Sequence, residues 1–185
     1  MPAQHSGIAV VIPCYKVIKH VDDLFGRFGP EVDAIYAVDD QCPEGSGTYI
    51  EKTGTDPRVR VIYNPENLGV GRAVLDGMKA ARDDGYAIGV KIDGDGQMGP
   101  ALIRKFVRPI QMGLADYTEG NRFYDKDVRL NSARTPCSLW VRKSWCPIQC
   151  LMEPNRCSTA PLRRAITSVR TASRAAMRSS TASPS

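Results

Sequence analysis

Two aspartates, Asp93 and Asp95, stand two residues apart directly after an apolar run near the middle of the chain. In an extended segment, side chains two residues apart point the same way, so both carboxylates can face one point in space. Two close carboxylates repel each other unless a cation lies between them. Mg²⁺ takes oxygen ligands of this kind and completes its shell with waters and substrate phosphates. The spacing therefore predicts a divalent-metal site, and the glycines at 94 and 96 would let a ligand approach the backbone closely.

The same segment is open to two other interpretations. A surface turn can carry the same residues, and it stays open at this point. An EF-hand loop would use Asp93, Asp95 and Gln97 as its first ligands, but Met98 stands where that loop needs glycine. Arg104 also stands where it needs a bidentate glutamate, so the EF-hand interpretation fails.

Polar side chains also follow the other predicted strands. Apolar, β-branched runs at 8–12, 33–38 and 58–63 are typical of strands buried in a parallel sheet. The candidate site residues at or shortly after the ends of these runs are Pro13 and Tyr15, then Asp39 and Asp40, then Asn67. We expect these residues to meet Asp93 and Asp95 at one edge of the sheet.

The elements that must position these residues alternate between strands and amphipathic helices. This alternation predicts an α/β fold with a mostly parallel sheet covered by helices on both sides. In such sheets ligands bind beyond the carboxyl ends of the strands, where the strand order switches. Ser46 or Thr48 is predicted to cap the short helix that runs to about Lys52.

The segment Asn67–Gly71 opens a long predicted helix that runs to about Asp84. The free N–H groups and positive dipole end of such a helix favour a phosphate or a polar ribose, which would involve Gly69 and Gly71. It is not a Rossmann fingerprint, because Val74 stands where the third glycine would be. A plain helix cap with flexible glycines remains an equal alternative.

Composition changes abruptly near residue 130. Residues 1–130 hold 19 of the 20 acidic side chains, 16 of the 25 basic ones and all 16 glycines, whereas residues 131–185 hold one acid and nine basic side chains. We predict a folded α/β domain over 1–130 and a poorly ordered basic tail over 131–185, since such a tail buries too little apolar surface to offset its ordering entropy. A frameshift or a truncation would explain the break.

The alternative is that residues 131–185 form a genuine basic tail that contacts anionic lipid headgroups or nucleic acid. Its only aromatic residues are Trp140 and Trp145, which offer few rings for stacking against nucleic-acid bases. No nucleic-acid partner is therefore expected. The cysteines of this region do not match zinc-site spacings. With neither a signal peptide nor about 18 consecutive apolar residues, the expected location is cytoplasmic, at the inner face of the membrane if the tail binds lipid.

Taken together, the first 130 or so residues resemble a family 2 glycosyltransferase of the GT-A fold, nearest to the dolichol- or polyprenyl-phosphate sugar synthases. Each of the motifs that carry the resemblance is weak alone, but they occur in the order expected of the family. They lie at 11–15, 38–40, 67–71, 93–97 and 120–122.

The resemblance implies a UDP- or GDP-sugar donor and assigns residues to it. Pro13, Tyr15 and Asp40 would lie near the base and ribose, with Asp39, Asn67, Gly69 and Gly71 completing the donor-binding set. Asp93 and Asp95, helped by Gln97, would hold Mg²⁺ or Mn²⁺ against the diphosphate. Arg122 would contact the donor phosphates, a task that suits a guanidinium.

The resemblance also implies an inverting transfer to a polyprenyl phosphate or a cell-surface glycan. A lipid phosphate is already an anion and needs little general-base help, whereas an alcohol needs a base that the sequence does not clearly supply. Two departures stand out: Lys16-Val17-Ile18 replaces an Asn-Glu pair that is frequent in the family, and Gly99 replaces an acid.

Two alternative functions remain. One is a nucleotide-sugar-binding fragment without turnover. The other is a sugar nucleotidyltransferase, which would be expected to carry a glycine-rich, lysine-bearing loop where Pro13-Cys14-Tyr15 stands.

Overall fold

The computed structural model describes residues 5–54, 56–121, 140–143 and 164–168. The strands are β1 (His5–Cys14), β2 (Ala34–Asp39), β3 (Val59–Tyr63), β4 (Tyr86–Lys91), β5 (Tyr117–Asn121), β6 (Trp140–Lys143) and β7 (Arg164–Ser168). The helices are α1 (Ile18–Phe25), α2 (Ser46–Thr53), α3 (Val70–Asp83) and α4 (Ile103–Gln111), the last preceded by a 3₁₀ turn at Pro100–Leu102. Within the described ranges, no helix combines the length and the apolar character needed to cross a bilayer.

The strands form one mixed sheet in the order β3-β2-β1-β4-β6-β5-β7. The first four are parallel, because helices carry the chain back between successive strands. The chain moves outward from β1 to β2 and β3, then crosses to the other side of β1 to form β4. The strand order therefore switches between β1 and β4, and their carboxyl ends diverge there.

Helices cover both faces of the sheet, as the sequence predicts. Alternate residues of β1 belong to two different clusters: Val10 and Ile12 pack on the side of α1 and α4, whereas Ala9 and Val11 pack on the side of α3. Because the strand is buried on both faces, its side chains pack into the core on either side, which explains its continuous apolar run.

Helix α3 packs against the sheet through a face made largely of small residues. Ala73, Gly77 and Ala81 recur every four residues along this face. A Cβ added at Gly77 would stand 2.4 Å from a methyl of Val11 and 2.9 Å from a methyl of Val38. The glycine is therefore required by the packing and brings the first turn of α3 near the end of β1.

The structure corrects one local prediction. The N-cap of α2 is Gly45, with a left-handed backbone at φ +68°, and neither Ser46 nor Thr48 caps the helix through its side chain. The carboxylate of Asp39 accepts the N–H of Gly47 instead, at 2.5 Å. A carboxylate makes a stronger hydrogen bond at a helix N-terminus than a hydroxyl, so the acid after β2 takes the capping role.

The C-terminal region contributes to the sheet in two places. β6 pairs antiparallel with β4 and β5, and β7 pairs parallel with β5. Both short strands fall inside the range predicted as a basic tail. The α/β fold with a mostly parallel sheet is confirmed, while the predicted domain boundary near residue 130 stays a prediction.

Candidate functional site

A cleft of about 360 Å³ opens at the carboxyl ends of β1 and β4, at the switch in strand order. It brings together seven of the residues singled out in the sequence. These are Pro13, Tyr15, Asp40, Asn67, Gly69, Asp93 and Asp95. Segments that are up to 82 residues apart in the chain thus meet in one hollow, because each follows a strand of the same parallel sheet.

Asp40 is buried in the wall of the cleft and its carboxylate is engaged by the protein itself. It accepts hydrogen bonds from the side-chain amide of Asn64 at 2.9 Å and from the backbone N–H groups of Leu68 and Gly69 at 3.2 and 2.7 Å. The buried charge is satisfied by these donors, as a buried carboxylate must be. Asp40 therefore shapes the loop before α3 as well as presenting oxygen atoms to the cleft.

Asp39 is buried next to Asp40 but does not line the cleft. Its two carboxylate oxygens accept the backbone N–H groups of Cys42, at 2.6 Å, and Gly47, at 2.5 Å. These contacts fold the loop between β2 and α2. The structure thus separates two acids that the sequence presents as one pair.

Asp93 and Asp95 both face the cleft, with different surroundings. Asp95 is exposed, and one of its oxygens accepts the backbone N–H of Gln97 at 3.0 Å. Asp93 is half-buried and forms an ion pair with the ammonium of Lys91, the last residue of β4. Lys91 is itself buried, and no sequence signal had singled it out.

Gly94 holds the Asp93–Asp95 segment against the end of β1. A Cβ at this position would lie 2.9 Å from a methyl of Val17 and 3.3 Å from the carbonyl oxygen of Pro13. Any larger residue would push the two carboxylates away from the wall that carries Tyr15. The glycine therefore sets the width of the cleft.

The two carboxylates fit a divalent ion only as a partial ligand set. Within the described residues no group of three or more His, Cys, Asp or Glu side chains could hold a metal. Mg²⁺ sites are commonly made by one or two carboxylates together with waters and substrate phosphates. Asp93 and Asp95 suit a metal that is shared with a phosphate-bearing ligand in the same cleft.

The loops after β1 and β2 hold two non-glycine residues with left-handed backbone, Lys16 at φ +58° and Gln41 at φ +51°. Such conformations cost free energy and persist where surrounding contacts enforce them, often at functional sites. Here the N–H of Lys16 donates to the sulfur of Cys42 at 3.1 Å, which joins the two loops.

Cys42 is a feature that sequence reasoning missed. Burial acts to raise the pKa of its thiol, but hydrogen bonds with the Ser46 hydroxyl and with backbone groups outweigh that effect and lower the pKa below its ordinary value. Cys14 lines the cleft and differs: burial and the nearby Asp39 carboxylate raise the pKa of its thiol. The sequence offered only isolated cysteines, with no spacing that could signal this difference.

The remaining predicted residues do not join the cleft lining. Gln97 and Gly71 lie beside it without forming part of its wall. Arg122 falls outside the described residues.

Comparison with known proteins decides the family. The model of the family described as Glycosyl transferase family 2 matches residues 9–175, which is most of the chain. The chain belongs to glycosyl transferase family 2. The family 2 match runs through the cleft residues and past the composition break near residue 130.

Curated relatives are similar over 62% of the chain. An undecaprenyl-phosphate mannosyltransferase of Micrococcus luteus is 29% identical over 119 residues, which covers 62% of this chain and 48% of the relative. A polyprenol monophosphomannose synthase of Mycolicibacterium smegmatis is 31% identical over 119 residues, covering 62% of this chain and 44% of the relative. The chain therefore spans about half the length of the curated relatives it matches.

Solved structures share the fold. Glucosyl-3-phosphoglycerate synthase of Mycobacterium tuberculosis superposes with a TM-score of 0.63 at 16% identity, covering 91% of this chain and 73% of the other. A mannosyltransferase from Pyrobaculum calidifontis, solved in complex with GDP-Man and Mn²⁺, superposes with a TM-score of 0.56 at 15% identity, covering 74% and 44%. At these identities the likeness establishes the GT-A architecture of this family 2 chain.

Proposed function

We propose that this family 2 chain transfers a hexose from a nucleotide-sugar donor to a polyprenyl phosphate. The single observation that carries the proposal is the meeting of Asp93, Asp95 and Asp40 with Tyr15 in one cleft at the strand-order switch. The curated relatives named as polyprenyl-phosphate mannosyltransferases make a mannose donor the first candidate.

In this proposal the donor enters with its base between Tyr15 and the loop held by Asp40. Tyr15 is 45% exposed and the ammonium of Lys16 lies 5.5 Å from the centroid of its ring, so a base would pack against the exposed part of the ring. The diphosphate then lies toward Asp93 and Asp95, and Arg122 supplies a guanidinium to the same phosphates. Asn67, Gly69 and Gly71 border the ribose at the start of α3.

Asp93 and Asp95 would hold Mg²⁺ or Mn²⁺, which when bound offsets the negative charge that develops on the departing diphosphate. Asp95 is the better-placed ligand of the two because it is exposed and carries no ion-pair partner among the described residues. Gln97 would assist through its neighbouring position, as its N–H already orients Asp95.

The reaction breaks the bond between the anomeric carbon and the donor phosphate and forms one from that carbon to an acceptor oxygen. The bonding electrons leave with the nucleoside diphosphate, and attack from the opposite face inverts the anomeric configuration. Two of the three carboxylates that line the described cleft are already engaged, Asp40 by three hydrogen-bond donors and Asp93 by Lys91, and the third, Asp95, is the proposed metal ligand. This arrangement favours an acceptor that is an anion before it reacts, such as a lipid phosphate, since it needs no general base.

Donor binding is tested first and turnover second. Thermal shift and calorimetry with GDP-mannose, UDP-glucose and related donors, each with and without Mn²⁺, should reveal one donor whose binding stabilises the protein only when the metal is present. Asp95→Asn should abolish the metal dependence, whereas Asp83→Asn, which alters an exposed aspartate at the far end of α3, should not. A donor affinity that changes neither when Mn²⁺ is added nor in Asp95→Asn would overturn the metal assignment.

Turnover separates the transferase from its alternatives. Transfer of radiolabelled sugar to a short polyprenyl phosphate is the expected result. Metal-dependent donor binding without transfer or hydrolysis would instead establish a donor-binding fragment, and release of pyrophosphate from a sugar phosphate and a nucleoside triphosphate would establish a nucleotidyltransferase.

A lipid acceptor also implies a place of action. We propose that the chain works at the cytoplasmic face of a membrane, with the basic residues of 131–185 against anionic headgroups. Vesicles containing phosphatidylglycerol should sediment the protein at low ionic strength and release it in about 0.5 M salt, because screening weakens such contacts. Equal binding to neutral vesicles would contradict this arrangement.

A further inference from the structure

Lys91 places a positive charge beside the two carboxylates of the candidate metal site. It is the last residue of β4, it is 8% exposed, and its ammonium contacts the Asp93 carboxylate. Lysine is rarely buried unless an anion partners it, because removing the charge from water is costly. Asp93 is thus the anion that allows Lys91 to be buried, and Lys91 fixes that carboxylate at the cleft floor.

This ion pair changes the charge that a metal would meet. Asp93 and Asp95 together carry two negative charges, and Lys91 offsets one of them. The Asp93 side chain keeps 25% of its surface exposed and the Lys91 side chain 10%, so solvent screens their interaction only weakly. A divalent ion bound to Asp93 would have to share the carboxylate with a buried ammonium that repels it.

Only Asp95 is left as a carboxylate without an opposing charge in this segment. One exposed carboxylate attracts a hydrated divalent ion weakly, since the ion gives up its waters reluctantly. A nucleoside diphosphate adds several negative charges and chelating oxygens, which would outweigh the repulsion from Lys91. The charges that line the cleft therefore favour a metal that binds together with a diphosphate over a metal that binds alone.

We propose that Lys91 is a positioning residue that couples metal binding to donor binding: by occupying Asp93 it keeps the free protein from retaining a divalent ion and makes the site complete only when a nucleoside diphosphate is present. This inference rests on the proposed function for its metal site and adds the dependence of that site on the donor. It concerns the affinity for the metal rather than the chemistry of transfer.

The first test needs no variant. Free Mn²⁺ is counted by its electron paramagnetic resonance signal while the wild-type full chain is titrated, first alone and then with GDP or UDP present, and corrected for the Mn²⁺ that the nucleotide binds by itself. We expect the protein to bind Mn²⁺ at least about tenfold more tightly when the nucleotide is present, a factor that corresponds to about 1.4 kcal/mol. Equal affinity in the two conditions would overturn the proposal.

The second test removes the ammonium. Lys91→Met keeps a long side chain at a buried position, frees Asp93, and should raise the affinity for Mn²⁺ alone by about tenfold, as expected for deleting a close charge of the same sign. Lys91→Arg retains the charge and should behave as the wild type. Lys79→Met is the matched control, because Lys79 pairs with Asp76 on α3 outside the cleft.

The outcomes distinguish this inference from the proposed function. If Lys91→Met is folded by circular dichroism and binds Mn²⁺ as weakly as the wild type, the role of Lys91 is refuted. If no nucleotide binds any variant with or without Mn²⁺, the proposed function fails, while the series with Mn²⁺ alone still decides whether Lys91 weakens the metal site.

Discussion

The carboxylate of Asp40 accepts a hydrogen bond from the backbone N–H of Gly69 at 2.7 Å, which ties the end of β2 to the N-terminus of α3. The two residues are 29 positions apart in the chain, and both line the cleft. One buried side chain therefore supports the fold and shapes the candidate donor site at the same time.

Replacing Asp40 should cost stability and donor affinity together. In Asp40→Asn an NH₂ group replaces one carboxylate oxygen and cannot accept a hydrogen bond. At least one of the donors from Asn64, Leu68 and Gly69 therefore loses its partner. We expect the free energy of unfolding to fall by about 1–3 kcal/mol, the cost of an unsatisfied buried donor. Urea denaturation measures this loss, and calorimetry measures the fall in donor affinity.

Asp23→Asn serves as the control for that experiment. Asp23 is exposed and pairs with Arg27 one helical turn away, an arrangement worth about 0.3–0.5 kcal/mol. Comparable losses in both variants would mean that the hydrogen bonds of Asp40 do not stabilise the loop.

Two glycines of α3 should respond in opposite directions to the same substitution. Gly77→Ala forces a methyl into the side chains of Val11 and Val38, so overpacking of about 1–3 kcal/mol should exceed the gain in helix propensity. Gly71→Ala has open space around the new methyl and should gain about 0.5–1 kcal/mol. Thermal denaturation of both variants, side by side, checks the signs, and stabilisation by Gly77→Ala would contradict the close packing of α3.

Gly94→Ala should widen the cleft. The new methyl would approach a methyl of Val17 at 2.9 Å, and relief of that contact must move the segment that carries Asp93 and Asp95. We expect Mn²⁺-dependent donor affinity to fall by about tenfold or more, since a small displacement of positioned groups is enough to lose that much. Donor titration by calorimetry measures the change.

Gly99→Ala is the comparison for Gly94→Ala. The atom nearest its new Cβ, a guanidinium nitrogen of Arg27, lies at 3.5 Å, which is ordinary contact. Its donor affinity should stay at the wild-type value, and an equal loss in both variants would show that the effect is not specific to the cleft.

The thiols of Cys42 and Cys14 should differ in their reaction with iodoacetamide. The lowered pKa of Cys42 means a larger thiolate fraction at neutral pH, so the midpoint of its rate profile should lie below that of an unperturbed cysteine thiol. Cys14 should stay unmodified in the folded protein, because burial both hides it and raises the pKa of its thiol. Peptide mapping by mass spectrometry follows each cysteine separately.

Ser46→Ala tests the cause of this difference. It removes a hydrogen bond that lowers the pKa of Cys42, so the midpoint should move to higher pH. Modification of Cys14 before Cys42 in the folded wild type would contradict the assignment.

The sequence by itself determined where the strands end and which polar residues follow them. Runs such as residues 8–12 predict buried strands, because a continuous apolar and mainly β-branched stretch suits a sheet covered on both faces. The rule that parallel strands gather their carboxyl ends then brought Asp40, Asn67 and Asp93 into one expected site, and the structure places all three in the cleft wall. Local pattern and periodicity were enough for this much.

Only the tertiary structure decided what each acid does. Asp39 and Asp40 are neighbours in sequence, yet one caps α2 and the other holds the loop before α3, because successive side chains at the end of a strand point to opposite faces. The Lys91–Asp93 pair likewise depends on how far β4 is buried beside β1, a property set by strand order. The hydrogen-bond donors to Asp40 lie 24 to 29 residues away in the chain and leave no trace in a local pattern. Even the nearer partners of Asp39 and Asp93 depend on packing that the whole sheet provides.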